Sequence, residues 1–150
     1  AVFCREKIID ETGAFPGEEA AYALTPEVAL PQQDIRMLQL AKSAICAGML
    51  TLLEAEGIAA EGPHRLIIAG GFGSILNLHS AACRGLVPAE LEGRACAIGN
   101  AALGAASMML LRSEVQAQGT ALAEISETGD LSSSPVFMDN YVECMSFKAE

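Results

Sequence analysis

The sequence has no tryptophan, and Phe and Tyr together supply only 5% of its 150 positions. That is poor material for an aromatic-rich recognition surface. Positive charge is scarce as well. Nine Lys plus Arg stand against nineteen Asp plus Glu, a formal net charge of −10, and the basic residues nowhere gather into the patch that phosphate-backbone binding requires. Nucleic acid is disfavoured as a partner, and so is an anionic membrane surface, which repels an acidic chain. The five cysteines, Cys4, Cys46, Cys83, Cys96 and Cys144, are spread singly, with no CxxC pair and no ligand cluster. No metal site is expected from them, and they read as small buried hydrophobes in a reducing compartment.

Long apolar runs are also missing. The stretches Leu66 to Ala82 and Ala95 to Leu111 carry no charge but are broken by Gly, Asn and His. Neither supplies the roughly 20 apolar residues that cross a bilayer. No signal peptide opens the chain, so the expected location is cytoplasmic, although a start at Ala1 without methionine is compatible with an excised piece. Several motifs are absent: there is no GxxxxGK(S/T) phosphate loop and no GxSxG elbow, and Gly71-Phe72-Gly73 fails the GxGxxG spacing because residue 76 is Leu.

What remains is 51% hydrophobic, with twenty-six alanines and fourteen glycines, a composition that suits one core of helices packed closely on a sheet. Residues 1–30 read as a lead-in compatible with continuing an upstream lobe, with a strand candidate over Val2 to Ile9 and then a Gly, Pro and acid-rich loop. Residues 31–150 read as one subdomain. Ile35, Leu38, Ala41, Ile45, Met49, Leu52 and Leu53 recur every three or four residues, predicting a helix from Gln32 to Gly57 with that stripe buried. The polar face holding Asp34, Arg36, Gln39, Lys42 and Ser43 is expected in solvent, unless it borders a ligand, where Lys42 could act as a mobile point charge.

Two short apolar strands follow, His64 to Ala69 and Cys96 to Ile98, each running straight into glycine. The first leads through Gly70-Gly71-Phe72-Gly73 towards a partly helical stretch from Ile75 to Leu86. The second leads through Gly99 and the helix-capping Asn100 into an alanine-rich helix, Ala101 to Leu111. A further helix is expected near Glu114 to Glu127, with Ser113 and Gln116 spaced as a capping box, and a last one from Pro135, capped by Ser134. In an α/β sheet the strand ends converge on a crevice, and glycine there lets a ligand approach the backbone. A Gly-Gly pair after a strand also serves a tight turn's own backbone angles. His64 and His79 read as surface or capping residues, and Asp10, Asp34, Asp130 and Asp139 have no spacing that pairs them. No catalytic residue is assigned.

Four segments in order carry a family resemblance: QQDIRMLQLAKSAI from Gln32 to Ile45, LIIAGGFG from Leu66 to Gly73, IGNAALGA from Ile98 to Ala105, and PVF from Pro135 with Tyr141, Met145 and Phe147. Together they resemble the C-terminal domain of the reductive activators of corrinoid proteins, within the actin, heat-shock chaperone and sugar kinase (ASKHA) superfamily. The resemblance implies an α/β fold, a partial actin-like (ribonuclease H-like) ATPase lobe with a short central sheet packed by alanine-rich helices. It implies ATP and Mg²⁺ in an intact parent, whose upstream domain carries a 2Fe-2S cluster absent from this chain. It also implies, as partners, the remainder of the polypeptide and a corrinoid protein. Gly70, Gly71, Phe72 and Gly73 match the adenosine motif of the superfamily's second lobe; Gly99 and Asn100 match a later family motif. Lys42 lies by looser analogy on the helix flanking the adenosine. The upstream phosphate loops and cysteine cluster have no counterpart here, so the fragment is not expected to catalyse the full reaction alone. Two other readings stay open: a structural or protein-interaction domain whose glycines only turn the chain, and the lobe of a sugar or acyl kinase.

Overall fold

Pro31 and Gly57 bracket the longest element. In the computed structural model, which describes residues 6, 8–17, 20–62 and 64–147, a 24-residue helix, α1, spans Gln32–Ala55. Pro31 precedes it as the N-cap, and Gly57 follows at φ +63°, a backbone angle that ends a helix at no side-chain cost. Most of the Val2 to Ile9 strand candidate lies outside the described residues, as does Cys4; Ile8 and Ile9 form a bend.

The chain folds as two compact units that interleave along the sequence. The first comprises 1–64, 77–93 and 131–150. Its antiparallel hairpin pairs β1 (Ala21–Ala23) with β2 (Ala29–Pro31), Tyr22 facing Leu30. Ile9, Phe15, Ile35 and Phe147 form the core of this unit, with Ile8, Tyr22 and Leu30 packed against it. The lead-in therefore shares its core with α1 and with the C-terminal segment. Asp10 shapes the turn by accepting from the amides of Thr12 and Ala14 at 2.8 and 2.9 Å. The Thr12 hydroxyl, then the Ala14 amide, hold its carboxyl below the ordinary carboxylate value. Helix α3 (Leu78–Cys83), capped by Asn77, belongs here, and so does α6 (Pro135–Glu143), capped by Ser134 as expected. Asn140 on α6 donates to the Thr51 hydroxyl of α1 at 3.1 Å.

The buried face of α1 is not the expected one. Gln39, Lys42 and Ser43 are buried, whereas Leu38, Ile45 and Leu52 are each about half exposed. The physical reason is supply of acceptors: the carbonyls of Thr12 and Met145 take the Gln39 amide, and Ser43 donates to the Gln39 carbonyl at 2.6 Å. A polar group that keeps its hydrogen bonds can be buried cheaply. By length and composition α1 is apolar enough to cross a membrane, but these satisfied polar side chains identify it as a core helix of this unit.

The second unit comprises 65–76 and 94–130. Its sheet is a parallel pair, β3 (Leu66–Ala69) and β4 (Ala95–Gly99), running Leu66↔Ala95 to Ala69↔Gly99 with an irregularity after Ile68. Helices α2 (Gly71–Ile75), α4 (Ala101–Leu111) and α5 (Ser113–Ile125) complete it. The expected capping box is not formed: α5 starts one residue early, on Arg112, which leaves Ser113 inside the first turn. Helix α4 is apolar on every side, with Leu103, Leu110 and Leu111 exposed. The cysteines are not uniformly interior either. Cys46 is buried, Cys83 and Cys144 are half-buried, and Cys96 on β4 is exposed. The fold is mixed α/β, with a short parallel sheet and several helices, the class expected from the sequence.

Candidate functional site

Because β3 and β4 are parallel, both deliver the chain to the same edge of the sheet, and both end in glycine. Gly99 is paired with Ala69, and the next residue, Gly70, donates its amide to the Gly99 carbonyl at 2.7 Å. The two junctions therefore stand side by side at the carboxyl ends of neighbouring strands, the place where α/β sheets receive ligands. Gly70 has φ +105° and Gly99 φ +67°, angles that L side chains rarely adopt.

The glycines do different jobs. A Cβ added at Gly70 or Gly71 would meet no atom within 4 Å, and one at Gly99 would meet only the Ser74 hydroxyl at 3.7 Å. Ser74 in turn donates to the Gly70 carbonyl at 3.1 Å, tying the start of α2 to the strand it leaves. Gly73 is buried, and a Cβ there would lie 2.6 Å from Ile68 Cγ2, so its missing side chain serves the packing of α2 on β3. Phe72 lies on the backbone between the open glycine and the packed one. Asn100 accepts from the Leu103 amide at 3.0 Å, so its side chain is committed to capping α4. Gly70, Gly71, Gly73, Gly99 and Asn100 thus come together within the second unit.

Lys42 belongs to the first unit and is 1% exposed. Its ammonium donates to the carbonyls of Cys144 and Ser146 and stands 4.7 Å from the centre of the Phe147 ring. Lys42 is therefore neither in solvent, as its face was expected to be, nor a mobile charge: the C-terminal segment presents two carbonyls that hold it. Among the described residues, no three His, Cys, Asp or Glu side chains are placed to hold a metal ion.

His79 on α3 is a surface residue, as expected, but it has neighbours. Its side chain is 74% exposed, but Glu92 Oε1 lies 2.8 Å from its Nδ1 and Cys83 Sγ 3.5 Å from its Nε2. The spacing of His79 and Cys83, four apart on a helix, was the visible signal. Glu92 reaches the ring from a 3₁₀ segment, Ala89–Arg94, and nothing in the sequence announced it.

Comparison with known proteins is consistent with the fold. The chain is 34% identical over 117 residues to the "Corrinoid activation enzyme RamQ" of Eubacterium limosum, covering 77% of this chain and 20% of that protein. It superposes with a TM-score of 0.77, at 28% identity, on a solved "Reductive activator for corrinoid, iron-sulfur protein", covering 96% of this chain and 26% of that one. It therefore spans between a fifth and about a quarter of these relatives. The family model described as the C-terminal domain of RACo, the ASKHA domain, matches residues 5–150. With nearly its whole length matched, the chain belongs to the family of RACo C-terminal ASKHA domains.

Proposed function

We propose that this chain forms the adenosine-side wall of a nucleotide cleft in an ATP-dependent reductive activator of a corrinoid protein. The observation that carries the reading is the adjacency of the two strand-to-glycine junctions, joined by the Gly70 to Gly99 hydrogen bond and open in front of Gly70 and Gly71. The kinship with corrinoid activators supports it. Gly70, Gly71 and Gly99 leave room for a flat ligand to approach the main chain, Gly73 lets α2 pack closely on β3, and Asn100 caps α4 behind them. Lys42 is assigned to anchoring the C-terminal segment.

When bound with Mg²⁺ in the complete protein, ATP would supply the free energy for an unfavourable one-electron transfer to cobalt. The wall offers position and shape; the described residues supply no metal-ligand cluster. Phosphoryl transfer needs both lobes around the phosphates, so this wall alone is assigned binding and not turnover. The exposed leucines of α4 favour contact with the remainder of a longer polypeptide.

Gly71→Leu is the discriminating variant. Its φ is not positive, and a Cβ there meets nothing, so the substitution leaves the fold intact while filling the space in front of the wall. Calorimetric titration of the intact protein with ATP and Mg²⁺ should show affinity reduced at least about tenfold, or ~1.4 kcal/mol, with the melting temperature unchanged. Equal affinity in the variant would remove these glycines from the site.

A further inference from the structure

Two cysteines that the nucleotide reading does not use meet where α6 ends against α1. Cys46 lies on α1, one turn beyond Lys42, and is buried; Cys144 follows the last residue of α6 and is half-buried. The Lys42 ammonium donates to the Cys144 carbonyl, so the main chain at Cys144 is held against the turn of α1 that precedes Cys46. On the other side of the pair, Asn140 of α6 donates to the Thr51 hydroxyl of α1 at 3.1 Å. Between these two ties the Cys46 and Cys144 thiols are hydrogen-bonded to each other. Both also line an open cavity of about 330 Å³ within the same unit.

We propose that Cys46 and Cys144 form a dithiol site that a small-molecule disulfide converts to an intramolecular disulfide, fastening the C-terminal segment covalently to α1. Cys144, the more exposed of the two, is the entry thiol. It gives its proton to water and attacks one sulfur of the small disulfide; a new sulfur–sulfur bond forms as the old one breaks, and the departing thiolate takes a proton from water. Cys46 then attacks the Cys144 sulfur, the bond to the small molecule breaks, and the second thiolate leaves with the Cys46 proton. Two protein thiols are oxidised to one disulfide and one small disulfide is reduced to two thiols, so no other oxidant is needed. The order follows from the surroundings. Burial, then the hydrogen bond with Cys144, push the Cys46 thiol up to about 12, which keeps it from acting first. Once Cys144 is in the mixed disulfide, its hydrogen bond and charge no longer oppose the Cys46 thiolate, while Lys42 still favours it and Glu90 still opposes it. The sulfurs are already neighbours, so the second step runs at high effective concentration. Cys83 lines the same cavity, but its sulfur rests against the His79 ring, 3.5 and 3.8 Å from the two ring nitrogens, and Cys96 belongs to the second unit.

The test oxidises the intact protein with glutathione disulfide at neutral pH and maps the products by peptide mass spectrometry without reduction. The peptide containing Cys46 should be joined to the one containing Cys144, at a level at least about tenfold above any link to Cys83 or Cys96. Exposed Cys96 should carry glutathione alone. Cys46→Ala should stop the reaction at a glutathione adduct on Cys144, whereas Cys144→Ala should leave Cys46 unmodified, because burial shields it. The map of the unsubstituted protein decides the pairing by itself, so a variant that fails to fold leaves the test standing. Cys46 and Cys144 remaining unlinked, or Cys144 joined to Cys83 in place of Cys46, would overturn the dithiol site. A glutathione adduct on Cys46 in folded Cys144→Ala protein would overturn the assigned order of attack.

Discussion

Lys42 shows how one side chain can decide which face of a helix is buried. Its ammonium is enclosed between the Cys144 and Ser146 carbonyls with the Phe147 ring alongside, so the end of the chain is fastened to the middle of α1 by a charged donor. Removing the donor while keeping the volume separates hydrogen bonding from packing. Lys42→Met should lower stability by about 1–3 kcal/mol, since the carbonyls of half-buried Cys144 and exposed Ser146 lose a charged donor, and this is measurable by denaturant unfolding. If Lys42 were a ligand contact and not an anchor, the same variant would lose nucleotide affinity and keep its stability. Gly71 behaves in the opposite way. Space around it is empty, so its replacement should be silent in stability and visible only in binding.

Among the elements, α4 has the clearest sequence logic. Asn100 follows Gly99, accepts from Leu103 and starts an alanine-rich helix at the carboxyl end of β4. Asn100→Ala should cost about 1 kcal/mol of stability through the lost cap, seen as a lower unfolding midpoint. Such local signals were legible because each depends on neighbours in sequence: the cap, the glycine after a strand, the 3.6-residue period of α1, the proline after Ser134. What was not legible depended on distant partners. Periodicity located α1 but chose the wrong face, since Gln39 and Lys42 are satisfied by carbonyls more than a hundred residues away. The β1–β2 hairpin went unnoticed because its strands are three residues each and carry alanine and proline in place of β-branched residues. The pairing of Glu92 with exposed His79 was not legible for the same reason: Glu92 reaches the ring through the fold.

In the molecule as a whole, the two glycine junctions were each visible in sequence, while their adjacency required parallel pairing of β3 with β4, which sequence spacing does not specify. The same unit leaves Leu110 and Leu111 of α4 exposed, a surface expected to be covered where the family's domain sits in a longer polypeptide. The central claim is that these paired junctions form one nucleotide-facing wall. Hydrogen–deuterium exchange of the intact protein, with and without ATP and Mg²⁺, tests it most directly. The account predicts that peptides covering 69–74 and 98–101 slow together on nucleotide addition, at the same half-saturating concentration, while 39–47 on α1 remains unchanged. Slowing at neither junction, or at only one of them, would contradict it.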